Sequence, residues 1–208
     1  MGLALSVLFA PTPELLLFFT IQVDLLYLAV VALRAGDGIR TATTAYIAST
    51  AVVFVLVLAN PWSGYQMVDT TAARGPVSDV ANLLLHVAVP VFVVIDWFRN
   101  RPARPLPRWA SLLWLAYPLA YLAVVLARAT WWSTAADRYL YPFLDVPTIG
   151  YGQVAVNAAV FALLLVALGG GAAGVARRSA SAATPSSRAH RCIHYCSAGH
   201  CRCRAGSC

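Results

Sequence analysis

Asp79–Phe98 reads DVANLLLHVAVPVFVVIDWF. Between its two aspartates, Asp79 and Asp96, the one titratable side chain is His86. About 20 predominantly apolar residues are what an α-helix needs to cross the ~30 Å hydrocarbon core of a bilayer. The stretch is therefore predicted to be one membrane-spanning helix. No other histidine precedes the C-terminal tail. A titratable ring in hydrocarbon is costly and marks a functional site by default. Pro90 follows four residues later. It has no N–H to give the His86 carbonyl, so a kink is expected at that level.

The rest of the chain agrees with a membrane reading. Its 208 residues are 60% hydrophobic and 11% charged, against about 25% charged in a soluble domain. The fold class is all-α, a polytopic transmembrane helix bundle with five spans: Glu14–Leu33, Thr43–Leu58, Asp79–Phe98, Trp109–Ala127 and Tyr151–Ala176. Two domains are expected. Residues 1–176 form the bundle, and 177–208 form a disordered Cys/His/Arg-rich cytoplasmic tail.

The net charge of +7 comes from fifteen arginines and no lysine. They sit in short loops and the tail, which is a topology pattern and not a nucleic-acid surface. The loops after spans one to four carry two, one, four and two arginines, and Arg177 and Arg178 follow span five. The positive-inside rule then puts the N-terminus outside and the C-terminus in the cytoplasm. The arginine-only basic set and the Ala/Val/Leu richness point to a bacterial plasma membrane. Met1–Ala10 has no basic start, so no cleavable signal peptide is expected.

On span one, Thr20, Asp24 and Tyr27 share a helix face. On span three, Asn82 and His86 form a matching stripe with Asp79. Thr20 lies six residues after Glu14, and His86 seven after Asp79. Spans one and three run the same way, so both sit about 10 Å below the outer surface. Asn157 lies six residues after Tyr151, at the same level. The outer half of the bundle can thus gather Thr20, Gln22, Asp24, Asn82, His86 and Asn157.

A neutral imidazole within reach makes a threonine hydroxyl a usable nucleophile, and Asp24 or Asn82 could orient the ring. Helix N–H groups are expected to be spent within the helix, leaving Asn82, Gln22 or Asn157 to stabilise an oxyanion. Such a site favours acyl chains entering from the lipid. The plainer alternative is that Thr20 bonds the carbonyl one turn back and that the His–Asp pair is a packing contact. Asp96 is expected to pair with Arg99 or Arg101. Trp97, Trp109, Trp131 and Trp132 read as membrane belts.

No metal or other cofactor is expected. One membrane histidine cannot supply three zinc ligands, and the five tail cysteines match no paired CxxC spacing. A proton-coupled transporter using Asp24 and His86 lacks the internal repeat common in transporters.

Four pieces in order carry a family resemblance: FFTIQVDLL (Phe18–Leu26), NLLLHVAVPVFVVIDW (Asn82–Trp97), WLAYPLAYLAVVLARA (Trp114–Ala129) and YLYPFLDV (Tyr139–Val146). Together they resemble the androgen-induced-gene family of multispan membrane proteins, in its bacterial six-span branch. That family includes the androgen-dependent regulator of tissue factor pathway inhibitor. The resemblance runs from about Phe18 to Leu168. It implies a sixth span in the complete family form. It also implies a threonine hydrolase that cleaves fatty acid esters of hydroxy fatty acids, with Thr20 as nucleophile and His86 as base. The partners so implied are membrane lipids and an acyl-ester substrate drawn from the bilayer. The alternative is a non-enzymatic integral membrane scaffold, or a lipid- or small-molecule-binding protein.

Overall fold

The computed structural model describes residues 13–67, 76–102, 105–107, 109–131 and 138–182. The expected tail beyond Ala182, with all five cysteines, lies outside them, as do Arg74 and Trp132. Every regular element among the described residues is helical. Four helices are long and apolar enough to cross a membrane: Asp37–Leu58, Val80–Arg99, Ala110–Trp131 and Val146–Arg178. Leu28, Leu56, Phe92, Val124 and Leu163 are each more than half exposed on the outside of the bundle. Water does not tolerate so much outward apolar surface, and lipid does. This is the architecture of an integral membrane protein.

The first span is shorter than its apolar run. Pro13–Leu17 is a 3-10 turn, and the α-helix covers only Phe19–Ala32. Fourteen residues give about 21 Å, and five residues of 3-10 helix add about 10 Å. The helix ends with Arg34 in the left-handed region (φ 50°) and the Ala35 N–H on the Val30 carbonyl. This cap reverses the chain tightly, and the second span returns along the first.

The second span, Asp37–Val53, is the hub, touching the first, third and fifth. Its many hydroxyls are buried because each bonds a carbonyl one turn back. Thr41 donates to Asp37, Thr44 to Arg40, Ser49 to Tyr46 and Thr50 to Ile47. Small side chains with satisfied hydroxyls let neighbouring helices approach closely.

Two prolines shape the neighbours in different ways. Pro118 cannot donate to the Trp114 carbonyl, and the fourth span breaks there into Ala110–Leu113 and Ala116–Trp131. The freed carbonyl accepts from the Tyr46 hydroxyl of the second span at 2.6 Å. In the third span, the helix Pro76–Leu83 widens into a π turn, Leu84–Ala88, and resumes as Val89–Arg99. The expected break at Pro90 thus takes the form of a wide turn ending just before the proline. The second span ends in a π turn too, Phe54–Leu58. The two meet where the Phe54 ring stacks on His86, with centroids 4.1 Å apart.

The last element, Val146–Ala182, breaks at Gly150 (φ 76°, ψ 157°), a conformation suited to glycine. Its long helical part therefore begins at Tyr151, as expected. It continues past the expected end at Ala176. Gly169 passes the Trp114 ring so closely that an added Cβ would lie 2.8 Å from it and 3.2 Å from Ser111 Cβ. Gly169→Ala is expected to cost about 1–3 kcal/mol by overpacking a rigid indole, read as a lower unfolding temperature in detergent.

Two sequence expectations are corrected. Asp96 pairs with Arg40 of the second span, not with Arg99 or Arg101. Arg101 instead donates to the Phe98 carbonyl and lies over the Phe98 ring. Trp97 is no belt residue. It is 3% exposed and donates to Thr41 Oγ1 at 3.0 Å. Trp109 and Trp131 do face outward.

Candidate functional site

Thr20 is the second residue of its α-helix, and that position decides its surroundings. The first N–H groups of a helix have no partner inside it. Here the first to find one is that of Gln22, on the Phe18 carbonyl. The N-cap residue, Phe18, has no side-chain oxygen to offer. The cap comes instead from the loop between spans four and five, where the Tyr141 hydroxyl accepts the Phe19 N–H at 3.1 Å. Thr20 and the Tyr121 hydroxyl lie near enough to this hydroxyl to act on it electrostatically. As the second residue of the helix, Thr20 has an N–H with no acceptor inside it, contrary to the expectation from sequence.

Other tyrosines fix this end of the helix. Tyr121 donates to the Leu17 carbonyl at 2.9 Å, and Tyr117 donates to Gln22 Oε1 at 2.9 Å. Gln22 Nε2 turns back to the Leu16 carbonyl. Phe19 sits among the rings of Tyr46, Tyr117, Tyr121 and Phe161, with centroids 5.0–6.3 Å away. A nucleophile candidate is thus held by a rigid aromatic cluster.

Thr20 lines a cavity of about 90 Å³. Its walls are apolar, with Leu119, Leu122, Ala158 and Ala162 among them, and its polar edge is Thr20, Thr50, Tyr141 and Asn157. Asn157 Nδ2 donates to the Phe143 carbonyl at 3.0 Å and reaches the Tyr65 hydroxyl at 3.4 Å. Burial pushes the Tyr141 hydroxyl up to about 12, and hydrogen bonds from Phe19 and Thr20 offset only part of that. It therefore keeps its proton, and remains a donor, across ordinary pH.

The first span touches the π turn that carries His86, but His86 does not line the cavity. Its ring lies against Phe54, and its Nδ1 is 3.2 Å from the Asn82 backbone carbonyl. A carbonyl only accepts, so in the neutral ring Nδ1 carries the proton and Nε2 keeps a lone pair. The orienting group is thus the Asn82 backbone and not its side chain or Asp24. Asp24 is 6% exposed, and neither carboxylate oxygen has a hydrogen-bond partner among the described residues.

The structure therefore brings Thr20 and Asn157 to one cavity. It places Gln22 just beside it in the tyrosine network, and leaves Asn82, His86 and Asp24 off its lining. Tyr141 was missed in the sequence, although YLYPFLDV was one of the four singled-out pieces. Its signal was a tyrosine next to a proline inside an aromatic loop. No group of three or more potential metal ligands occurs among the described residues. Comparison with family models, curated proteins and solved structures finds no match to this chain.

Proposed function

We propose that this protein is an intramembrane hydrolase of lipid esters, with Thr20 as nucleophile and His86 as base. One observation carries the reading. A threonine hydroxyl at a helix N-terminus opens on an apolar cavity within a membrane bundle. An acyl chain suits the walls, and its carbonyl suits the polar edge. In this reading the Thr20 proton passes to His86 Nε2, the nitrogen that the Asn82 carbonyl leaves unprotonated. No hydrogen bond joins the two side chains and His86 is off the cavity lining, so in this reading the ring turns from its stack on Phe54 toward Thr20. Substrates are long-chain esters, fatty acid esters of hydroxy fatty acids among them. The protein sits in a bacterial plasma membrane with its N-terminus outside, which turns the cavity toward the outer leaflet.

A second reading, lipid binding without chemistry, is favoured by the absence of His86 from the lining of the cavity that holds Thr20. Ala162 bears on both, since it lines the cavity from the fifth span. Ala162→Phe is expected to fill that space. It should raise KM for a long-chain ester about tenfold or more, the scale on which a blocked apolar contact acts. It should also displace bound acyl chains seen by mass spectrometry of the purified protein. Turnover of the ester by membranes containing the wild type, absent from control membranes, separates hydrolysis from binding alone.

A further inference from the structure

We propose that the Tyr141 hydroxyl is the hydrogen-bond donor to the oxyanion formed when Thr20 Oγ1 adds to an ester carbonyl. The assignment rests on the hydrolase reading and names a group that reading lacked. An oxyanion needs a donor fixed before the charge develops. The side-chain amides are poorly placed: Asn157 Nδ2 is bonded to Phe143 and reaches Tyr65, and Gln22, with Nε2 on the Leu16 carbonyl, is off the cavity lining. Asn82 is off the cavity lining. Tyr141 is on it together with Thr20, is 7% exposed, and its hydroxyl holds the N–H of Phe19, the residue before Thr20. Its oxygen accepts the Phe19 N–H, which polarises its own O–H and makes that a better donor. Tyr121 has given its proton to Leu17 and is no donor, so the Tyr141 proton, which the nearby Tyr121 oxygen can accept at rest, turns to the oxyanion as the charge develops. The ring is clamped between Phe18, edge-on at 5.7 Å, and Phe143, stacked at 5.0 Å.

The step balances as an acyl transfer. A lone pair on Thr20 Oγ1 forms the new C–O bond, and its proton goes to the base. The carbonyl π pair moves onto oxygen, where Tyr141 donates a hydrogen bond and keeps its proton. When the carbonyl re-forms, the ester C–O bond breaks and the alcohol leaves with the proton the base returns. Water then attacks acyl-Thr20 by the same route, and the same donor serves again.

The test uses the full chain in detergent micelles with p-nitrophenyl octanoate and its thiono analogue, in which sulfur replaces the carbonyl oxygen. Sulfur is a weak acceptor, so a donor to that atom favours the oxygen ester. Tyr141→Phe keeps the ring and is expected to lower kcat on the oxygen ester about 10²-fold. KM should stay within about threefold, and the oxygen-to-sulfur rate ratio should collapse. Tyr121→Phe disturbs the same aromatic cluster without removing the donor and should keep the ratio at or above that of the wild type. An unchanged kcat in Tyr141→Phe, or an equal loss on both esters, overturns the assignment. Thr20→Ala is run alongside. If it abolishes turnover while Tyr141→Phe does not, only the role of Tyr141 falls. If it turns over like the wild type, the hydrolase reading falls and takes this assignment with it. Should Tyr141→Phe fail to elute as a monodisperse species, 3-fluorotyrosine placed at 141 keeps the ring and strengthens the donor. The ratio is then expected to rise, and an unchanged ratio overturns the assignment.

Discussion

Thr20→Ala is expected to bring hydrolysis of a long-chain ester to background, a loss of about 10³-fold or more. Thr20→Ser should keep part of the activity. Serine retains the hydroxyl and loses only the methyl group that helps fix its direction. Thr20 is 7% exposed, and alanine removes one methyl and one hydroxyl there, which costs about 1 kcal/mol and leaves the fold standing. His86→Ala should lose about 10²–10⁴-fold, the worth of a positioned base. Rates are measured on membranes with expression of each variant matched by immunoblot. A lipid-binding protein without chemistry shows no such pattern: wild type and Thr20→Ala would bind an acyl probe alike and neither would turn it over. Equal turnover by wild type and Thr20→Ala would remove Thr20 as the nucleophile.

Asp96→Ala should be the most damaging single change to stability, about 2–4 kcal/mol, seen as a lower midpoint of unfolding in detergent. The carboxylate ties three spans together. It accepts from Arg40 Nη2 of the second span, from Tyr27 Oη of the first at 2.7 Å, and from Asn100 Nδ2 at 2.8 Å. Arg40 also donates to the Asn100 carbonyl. A hydrogen bond to a charged group contributes about 1.5–3 kcal/mol, and breaking a buried pair costs about 3–5. The figure here is set lower because Arg40 and Asp96 side chains are 21% and 26% exposed. Asp96→Asn keeps the acceptor for Tyr27 and should lose about half as much. A double-mutant cycle with Arg40→Met isolates the ion pair. A coupling near zero there would show that the cluster adds nothing beyond its separate bonds.

Much of this architecture was legible in the sequence, because the features that reveal it are local. An apolar run of membrane length is visible residue by residue, and Asp79–Phe98 became one continuous helix with His86 inside it. Pro90 announced a disturbance through the N–H it lacks. The start of the long helical part at Tyr151 followed from Gly150. What stayed hidden was long-range. The apolar run from Glu14 gave no hint that its α-helix would start only at Phe19. The carbonyls of Leu16 and Leu17 are taken by Gln22 and Tyr121 side chains, and the first amide by Tyr141, which is 122 residues away. Asp96 met Arg40 and not its sequence neighbours for the same reason. The helix face that carries Asp96 is turned to another span, whereas Arg101 lies beyond the end of the helix and folds back on Phe98. The sequence could point to Thr20 and His86 as polar groups within apolar spans. It could not point to their partners, Tyr141 and Phe54.

The facing π turns of spans two and three have a genetic meaning. A π turn is an α-helix carrying one surplus residue, so it shifts the register of all that lies beyond it. Losing the codon for one residue between Leu84 and Ala88 would leave a helix still long enough for the bilayer. It would also swing everything on its N-terminal side by about 100° about the axis, the angle one residue occupies at 3.6 per turn. The two surplus residues meet through Phe54 and His86, so neither gene segment can shed its codon without stranding the ring that the other holds. The register of each helix is therefore tied to that of its neighbour.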